Sequence, residues 1–239
     1  MTKGAIFMVY VTSDWHGYST KKIKALLSRV GFSKDDFLFI LGDVIDRGED
    51  GIKLLKEIMY EPNIELILGN HEVMMLSCAF LFEELTESSL DSLSAREMSA
   101  YRNWKRNGAE PTIRALRKET PELRAEILDY LSDAPLYDTV TVGGKDFVLV
   151  HGGLGGFSED KKLDEYTDYD LIWTRPTLYT KYSSNFTTVL GHTPTYAYGD
   201  EFVGKVIITD TFIDIDTGAA SGLSPCLLRL DDMRTFFAE

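Results

Sequence analysis

The chain has four histidines, and each stands beside glycine or within an Asn-His-Glu run: Ser13-Asp14-Trp15-His16-Gly17, Gly69-Asn70-His71-Glu72, His151-Gly152-Gly153 and Gly191-His192-Thr193. Carboxylates accompany them. Asp14 lies two residues before His16, and Asp43, Asp46 and Arg47 occur together in the run from Gly42 to Gly48. Residues i and i+2 just past a strand can face one side of a loop mouth, which is a chelating arrangement for Asp14 and His16. Imidazole, carboxylate and amide oxygen make a mixed nitrogen and oxygen donor set without sulfur, suited to Mn²⁺, Fe or Zn²⁺. The six donors Asp14, His16, Asp43, Asn70, His151 and His192 are too many for one ion that must also keep water. They suit two ions ~3.5–4 Å apart with a shared carboxylate, for which Asp43 is the expected bridge. Two dications against two ligand carboxylates leave a cationic site even with a bridging hydroxide. Such a site can hold a phosphate dianion inside a chain of net charge −13, because charges beyond the ~8 Å screening length count little.

The elements that must bring these residues together are legible in the hydrophobic pattern. Apolar runs at 6–13, 36–41 and 63–68 end in small or charged residues and read as buried strands. Between them, Ile23, Leu26, Leu27 and Val30, then Ile52, Leu54, Leu55, Ile58 and Met59, fall at helical spacing. The resulting βαβαβ order implies parallel strands with polar loops at their C-terminal ends. Asp14, Asp43 and Asn70 follow one another at intervals of one strand–helix unit, so the chain visits the same rim three times. Residues at about 73–133 form a helical insert, with Pro111 and Pro121 opening new helices. Short strands then follow at 138–142, 146–150, 187–191, 205–209, 212–216 and 225–230, bringing His151 and His192 back to the rim. The expected architecture is α/β: a two-sheet mixed β-sandwich flanked by helices, in a single domain over 1–239. The acidic run at 158–170 is the nearest thing to a linker, and Cys78 and Cys226 read as buried free thiols.

These motifs resemble those of the metallophosphoesterases (the calcineurin-like superfamily), and within them the PPP-type phosphoprotein phosphatases of bacteria and bacteriophage. SDWHG is similar to GDxHG, GDVIDRG matches GDxxDRG, GNHE is identical, and HGG and GHTPT follow in order, closed by IDTGA at 215–219. The resemblance spans most of the chain and implies an αββα fold. It also implies that Asp14, His16 and Asp43 hold one metal and that Asp43, Asn70, His151 and His192 hold the other, with Mn the expected metal and Fe or Zn the alternatives. By the same resemblance Arg47, Arg175 and Asn70 bind the substrate phosphate. His71 is the general acid, and Asp46 keeps its imidazole charged and oriented. The implied reaction is attack on phosphorus by a metal-bound hydroxide. Ser13 departs from the glycine of GDxHG, and Ala109 from the second glycine of the W..NGG..T segment that WKRNGAEPT (104–112) is similar to. Glu72 reads as a helix-start or loop stabiliser, and Asp214 and Asp216 as structural.

The implied activity is a serine/threonine phosphoprotein phosphatase, with tyrosine as a further target; hydrolysis of dinucleoside polyphosphates such as diadenosine tetraphosphate is the alternative. A non-catalytic scaffold is disfavoured because all seven side chains that would act are present. With 25 basic against 38 acidic residues, the chain repels nucleic-acid backbones and anionic membranes. No apolar run approaches the ~20 residues of a membrane span. The expected partners are therefore a phosphorylated protein or a small phosphoester, and the expected location is the cytoplasm. Tyr166, Tyr169, Tyr179, Tyr182, Tyr196 and Tyr198 crowd near Trp173 and the GHT loop, as ordinary packing or as a ring around the pocket.

Overall fold

The computed structural model describes residues 7–82 and 93–239. Strands β1 (Val9–Thr12), β2 (Phe37–Leu41) and β3 (Ile64–Ile67) pair in parallel and alternate with helices α1 (Thr20–Val30) and α2 (Gly51–Ile58). Helix α3 (Asn70–Leu76) follows β3 directly. After it come α4 (Ala95–Arg106), α5 (Glu110–Leu116) and α6 (Pro121–Asp133), which with α3 form the expected insert; residues 83–92 of that span lie outside the described residues. Local chemistry sets these boundaries. Ser94 and Glu97 form a reciprocal capping box before α4, and Thr120 caps α6 with Pro121 in its first turn.

The second half supplies β4 (Tyr137–Val142), β5 (Lys145–Val150), β6 (Thr187–Leu190), β7 (Ile207–Ile208) and β8 (Phe212–Asp214), in the order β4-β5-β6-β8-β7. Helix α7 (Asp168–Ile172) lies between β5 and β6. The last hairpin, β9 (Cys226–Arg229) and β10 (Arg234–Phe237), returns to the first sheet, giving β10-β9-β1-β2-β3. The sheets therefore do not divide the chain into halves. Strand β10 has no counterpart in the sequence reading, because Arg234-Thr235-Phe236-Phe237 is too short and too polar to signal a strand before its partner β9 is known.

Alternation along the strands explains the layers. Val9, Val11, Phe39, Leu41, Phe147, Leu149, Val189, Ile213 and Leu228 pack between the two sheets. Their neighbours Tyr10, Leu38 and Ile40 face the helices on the opposite side, against Ile23, Leu26, Leu54 and Leu55. Because both faces are covered, the strands read as nearly continuous apolar runs. The acidic stretch 158–170 is not a linker. Tyr166, Leu171 and Ile172 pack it onto Val148, Val150, Leu190 and Phe212 of the second sheet, and its Asp168 and Asp170 sit in the first turn of α7, where carboxylates favour the helix dipole. Cys78 and Cys226 are free and buried, as expected. Among the described residues, no helix is long and apolar enough to cross a membrane.

Leu149 is fully buried at the centre of the inter-sheet layer. Leu149→Ala is expected to cost about 2–5 kcal/mol, read as a lowered urea midpoint at unchanged slope.

Candidate active site

The loops after β1, β2 and β3 of one sheet and after β5, β6 and β8 of the other meet at one rim. The first two are stitched by backbone hydrogen bonds: Asp14 N–H donates to Gly42 O at 3.1 Å, His16 N–H to Asp43 O at 2.8 Å and Gly48 N–H to His16 O at 3.0 Å. Gly17 and Gly48 pass so closely that a Cβ on either would overlap the other's backbone. Among the described residues, seven non-glycine residues have positive φ, and six of them are Asp14, His16, Asp43, Asp46, Arg47 and His192. Left-handed backbone at such residues costs ~1–3 kcal/mol each and marks segments held in place by their surroundings. Ser13 is not among them, so the lost glycine is tolerated.

Glu72 is the principal clamp. Its carboxylate is fully buried and accepts from the N–H groups of Asp43 (2.8 Å), Val44 (2.8 Å) and Gly69 (3.1 Å). It ties the Asp43 loop to the start of α3, in line with the structural role read from sequence. The resulting geometry brings the six expected donors together. Asp43 directs one oxygen, Oδ2, to His16 Nε2 at 3.5 Å and the other, Oδ1, to His151 Nε2 at 3.5 Å. Asp14 Oδ1 lies 3.8 Å from His16 Nε2, and its Oδ2 accepts from the His192 N–H at 2.9 Å. His151 Nε2 also faces Asn70 Oδ1 at 3.0 Å and His192 Nδ1 at 3.1 Å. Two groups of donors close enough to share an ion, His16–Asp43–His71 and Asp43–His151–His192, meet at Asp43.

The tautomers that the backbone favours fit divalent cations. His16 Nδ1 faces the carbonyl of Ile45 at 3.2 Å and His151 Nδ1 that of Leu41 at 2.7 Å. A carbonyl only accepts, so both rings carry their proton on Nδ1 and aim the Nε2 lone pair inward. Around His151 Nε2, lone pairs thus face the oxygens of Asn70 and Asp43, and the buried His192 Nε2 has no hydrogen-bond partner. Cations would satisfy such a convergence.

His71 and Asp46 form a second group beside this one. His71 Nδ1 lies 2.6 Å from Asp46 Oδ2, which also accepts from the Trp104 indole N–H at 2.8 Å. Asp46 N–H donates to Thr112 Oγ1 at 2.9 Å, and Arg47 N–H to the carbonyl of Gly108 at 2.9 Å. The segment WKRNGAEPT therefore braces the Asp46–Arg47 turn, a role the sequence reading did not assign; the fixed spacing of Trp104, Gly108 and Thr112 was its signal. Asp46 is thus placed to orient the ring, while burial, followed by the neighbouring Arg47 guanidinium, holds His71 well below the ordinary imidazole range. Arg47 Nη2 accordingly sits 3.2 Å from His71 Nε2.

Arg47 makes no pair with Glu49, which binds Arg114 instead. It shares a cavity of about 220 Å³ with Arg175, His16, Asp43, Asn70 and His192. Arg175 is braced by the carbonyl of His192 at 2.8 Å and Thr193 Oγ1 at 3.2 Å. Asn107, Trp173, Pro194, Tyr196 and Asp216 complete the walls; Tyr196 belongs to the tyrosine cluster that reads from sequence as packing or as a ring around the pocket, and Asp216 reads as structural, whereas Asn107, Trp173 and Pro194 are not assigned to the site from sequence. Of the six clustered tyrosines only Tyr196 lines the cavity. Tyr166 and Tyr182 are buried in the outer core, and Tyr169 and Tyr179 are exposed. A larger apolar groove of 340 Å³ between α1 and α2 contains none of these groups.

Burial pushes the carboxyls of Asp14, Asp43, Glu72, Asp214 and Asp216 above their usual range, and that of Asp46 up to about 7. A carboxyl that keeps its proton only in the folded chain makes folding less favourable as pH rises through its folded value. The depressed imidazoles of His16, His71 and His192 act in the opposite sense until their unfolded counterparts have lost their protons, at about pH 7.5. Between pH 6.5 and 8 the cation-free wild-type chain is therefore expected to lose thermal stability relative to Asp46→Asn. Millimolar Mn²⁺ should raise the midpoint more at pH 8 than at pH 6, since ligands bind cations deprotonated. A gain independent of pH would contradict this.

Residues 7–215 match the calcineurin-like phosphoesterase family. Over 102 residues the chain is 35% identical to a symmetrical bis(5'-nucleosyl)-tetraphosphatase of Buchnera aphidicola, covering 41% of this chain and 37% of that protein. A serine/threonine-protein phosphatase 2 of Salmonella typhimurium is 27% identical over 214 residues, covering 88% of this chain and 87% of that protein. The fold is similar to that of a cold-active protein-tyrosine phosphatase of Shewanella, with a TM-score of 0.56 and 17% identity over 98% of this chain and 81% of that one. The chain thus spans 37% of the length of the first tetraphosphatases it matches. With the match running from ahead of β1 to the strand end beyond β8, the chain belongs to the calcineurin-like phosphoesterases.

Proposed function

We propose that this phosphoesterase hydrolyses phosphate monoesters on protein side chains, those of serine, threonine and tyrosine. The observation that carries the reading is the division of Asp43 between two donor groups, beside a cavity shared by Arg47 and Arg175. The phosphoprotein substrate is supported by the relative matched along nearly the whole chain. It is supported too by the size of the cavity: 220 Å³ falls below the ~300–1,000 Å³ of sites that engulf drug-sized ligands, and admits a phosphoryl group with its first carbons. Hydrolysis of dinucleoside polyphosphates is the second reading, favoured by the 35% identity with a tetraphosphatase over the motif-bearing segment.

Asp14, His16 and Asp43 would hold one divalent cation, and Asp43, Asn70, His151 and His192 the other. When bound, the two cations supply positive charge to the phosphoryl oxygens and acidify a water molecule, lowering its pKa from ~15.7 toward ~7. Arg47 and Arg175 grip the phosphate, and Asn70 reaches it from the start of α3. The arriving dianion draws Arg47 away from His71 Nε2 and places negative charge beside the ring. Both changes favour the protonated imidazole, so His71 becomes an acid when substrate is in place. Asp46, held by Trp104, keeps the ring aimed so that the Nε2 proton passes to the departing oxygen.

His71→Asn is expected to lower kcat for p-nitrophenyl phosphate about 10²–10⁴-fold with metal content near that of the wild type; loss of both together would remove His71 from the acid role. Asp43→Asn should reduce occupancy of both cation positions, measured by elemental analysis. With Mn²⁺ present, phosphoserine and phosphothreonine peptides should be turned over faster than diadenosine tetraphosphate. The reverse order would replace the first reading with the second.

A further inference from the structure

Tyr196 is exposed beside the phosphate-gripping arginines, yet it is held. The ring is 39% exposed and lines the cavity with Arg47, Arg175 and Trp173. Its short 3₁₀ turn, Thr195–Tyr198, is fixed from the IDTGA loop by three contacts. Thr195 N–H donates to Asp216 O at 2.9 Å, and the Tyr196 hydroxyl meets Ser221 Oγ at 2.9 Å. The Cδ1–Cε1 edge of the ring lies over Gly218, where a Cβ would come within 3.2 Å of it. Gly218 has φ +92, so a side chain there would be both strained and in the way of the ring. Trp173 also lines the cavity, edge-on to His192 at 5.8 Å.

A rigid aromatic ring left open to solvent beside a phosphate pocket contributes nothing to the three apolar cores, but it is pre-ordered for contact. A ligand that packs on it loses little side-chain freedom in doing so. The phosphate is taken by arginines, so the group that meets Tyr196 is the one attached through the scissile oxygen. We infer that Tyr196 is a specificity-determining residue that packs against the leaving group and selects phosphate monoesters carried on flat aromatic rings, such as aryl phosphates and phosphotyrosine, over those carried on aliphatic carbons. This rests on the phosphoesterase reading above and adds the preference within it. The IDTGA loop thereby acquires a role: it presents this ring.

The test compares phenyl phosphate with ethyl phosphate, using the full chain with added Mn²⁺. Aromatic contacts of this kind are worth about two- to tenfold in affinity. Tyr196→Leu, which keeps apolar bulk without the flat ring, should raise the ratio of KM for phenyl to ethyl phosphate by about that factor. Tyr196→Phe should keep the wild-type ratio, because the ring remains. On the wild type itself, phenylphosphonate should inhibit about two- to tenfold more tightly than ethylphosphonate, a measurement that needs no variant and no leaving group. Equal inhibition by the two phosphonates, or a ratio unmoved in Tyr196→Leu, would overturn the inference. A wild-type chain that hydrolyses neither ester would overturn the phosphoesterase reading instead.

Discussion

Six carboxylates withdrawn from water at one end of the sandwich are the constraint on which this structure turns. Asp14, Asp43, Asp46, Glu72, Asp214 and Asp216 are all nearly or wholly buried. Removing such groups from solvent is costly unless each finds protons, hydrogen-bond donors or cations. Glu72 finds backbone N–H groups, and Asp46 finds an indole and an imidazole. Asp43 receives the His71 N–H on one oxygen but otherwise meets imidazole lone pairs. The part of the acidic charge that the protein leaves uncompensated is the part that divalent cations neutralise.

The other devices of the site keep this arrangement from relaxing. Left-handed residues on three separate loops persist because Glu72, the paired glycines and the helical insert over-determine the backbone around them. The insert does so from the far side. Trp104, Gly108 and Thr112 reach the Asp46–Arg47 turn across a large sequence separation, so a segment that supplies none of the six metal-ligand candidates still sets the angle at which His71 and Arg47 are presented. Electrostatics chooses which groups gather; hydrogen-bonded backbone decides where they stop.

Much of this was legible before any coordinates. Apolar runs ending in Asp14, Asp43 and Asn70 located the strand ends, and repetition at strand–helix intervals placed the three on one rim. His151 and His192 followed because each ends a run of its own. Other features were beyond a one-dimensional reading for physical reasons. Strand β10 exists only through its pairing with β9, and four residues carry no periodicity of their own. The acidic stretch at 158–170 looks like a solvated linker because its charges dominate, although Tyr166, Leu171 and Ile172 anchor it to the second sheet. The lowered basicity of His71 depends on how completely water is excluded, a property of the assembled layers. Asn107 and Trp173 line the cavity by virtue of loop paths that no local pattern encodes.

The return of β9 and β10 to the first sheet carries a consequence for how the molecule is made. Strand β1 takes β2 on one side but receives its other neighbour only from residues 226–229. At ~5–20 residues per second, a growing chain therefore holds that strand edge unpaired until residues 226–229 follow. His151 and His192 also emerge late, so the cation cradle cannot close around the early donors alone. Assembly of the centre therefore waits on residues far along the chain, and a nascent chain interrupted before this hairpin would present an open sheet edge to its neighbours.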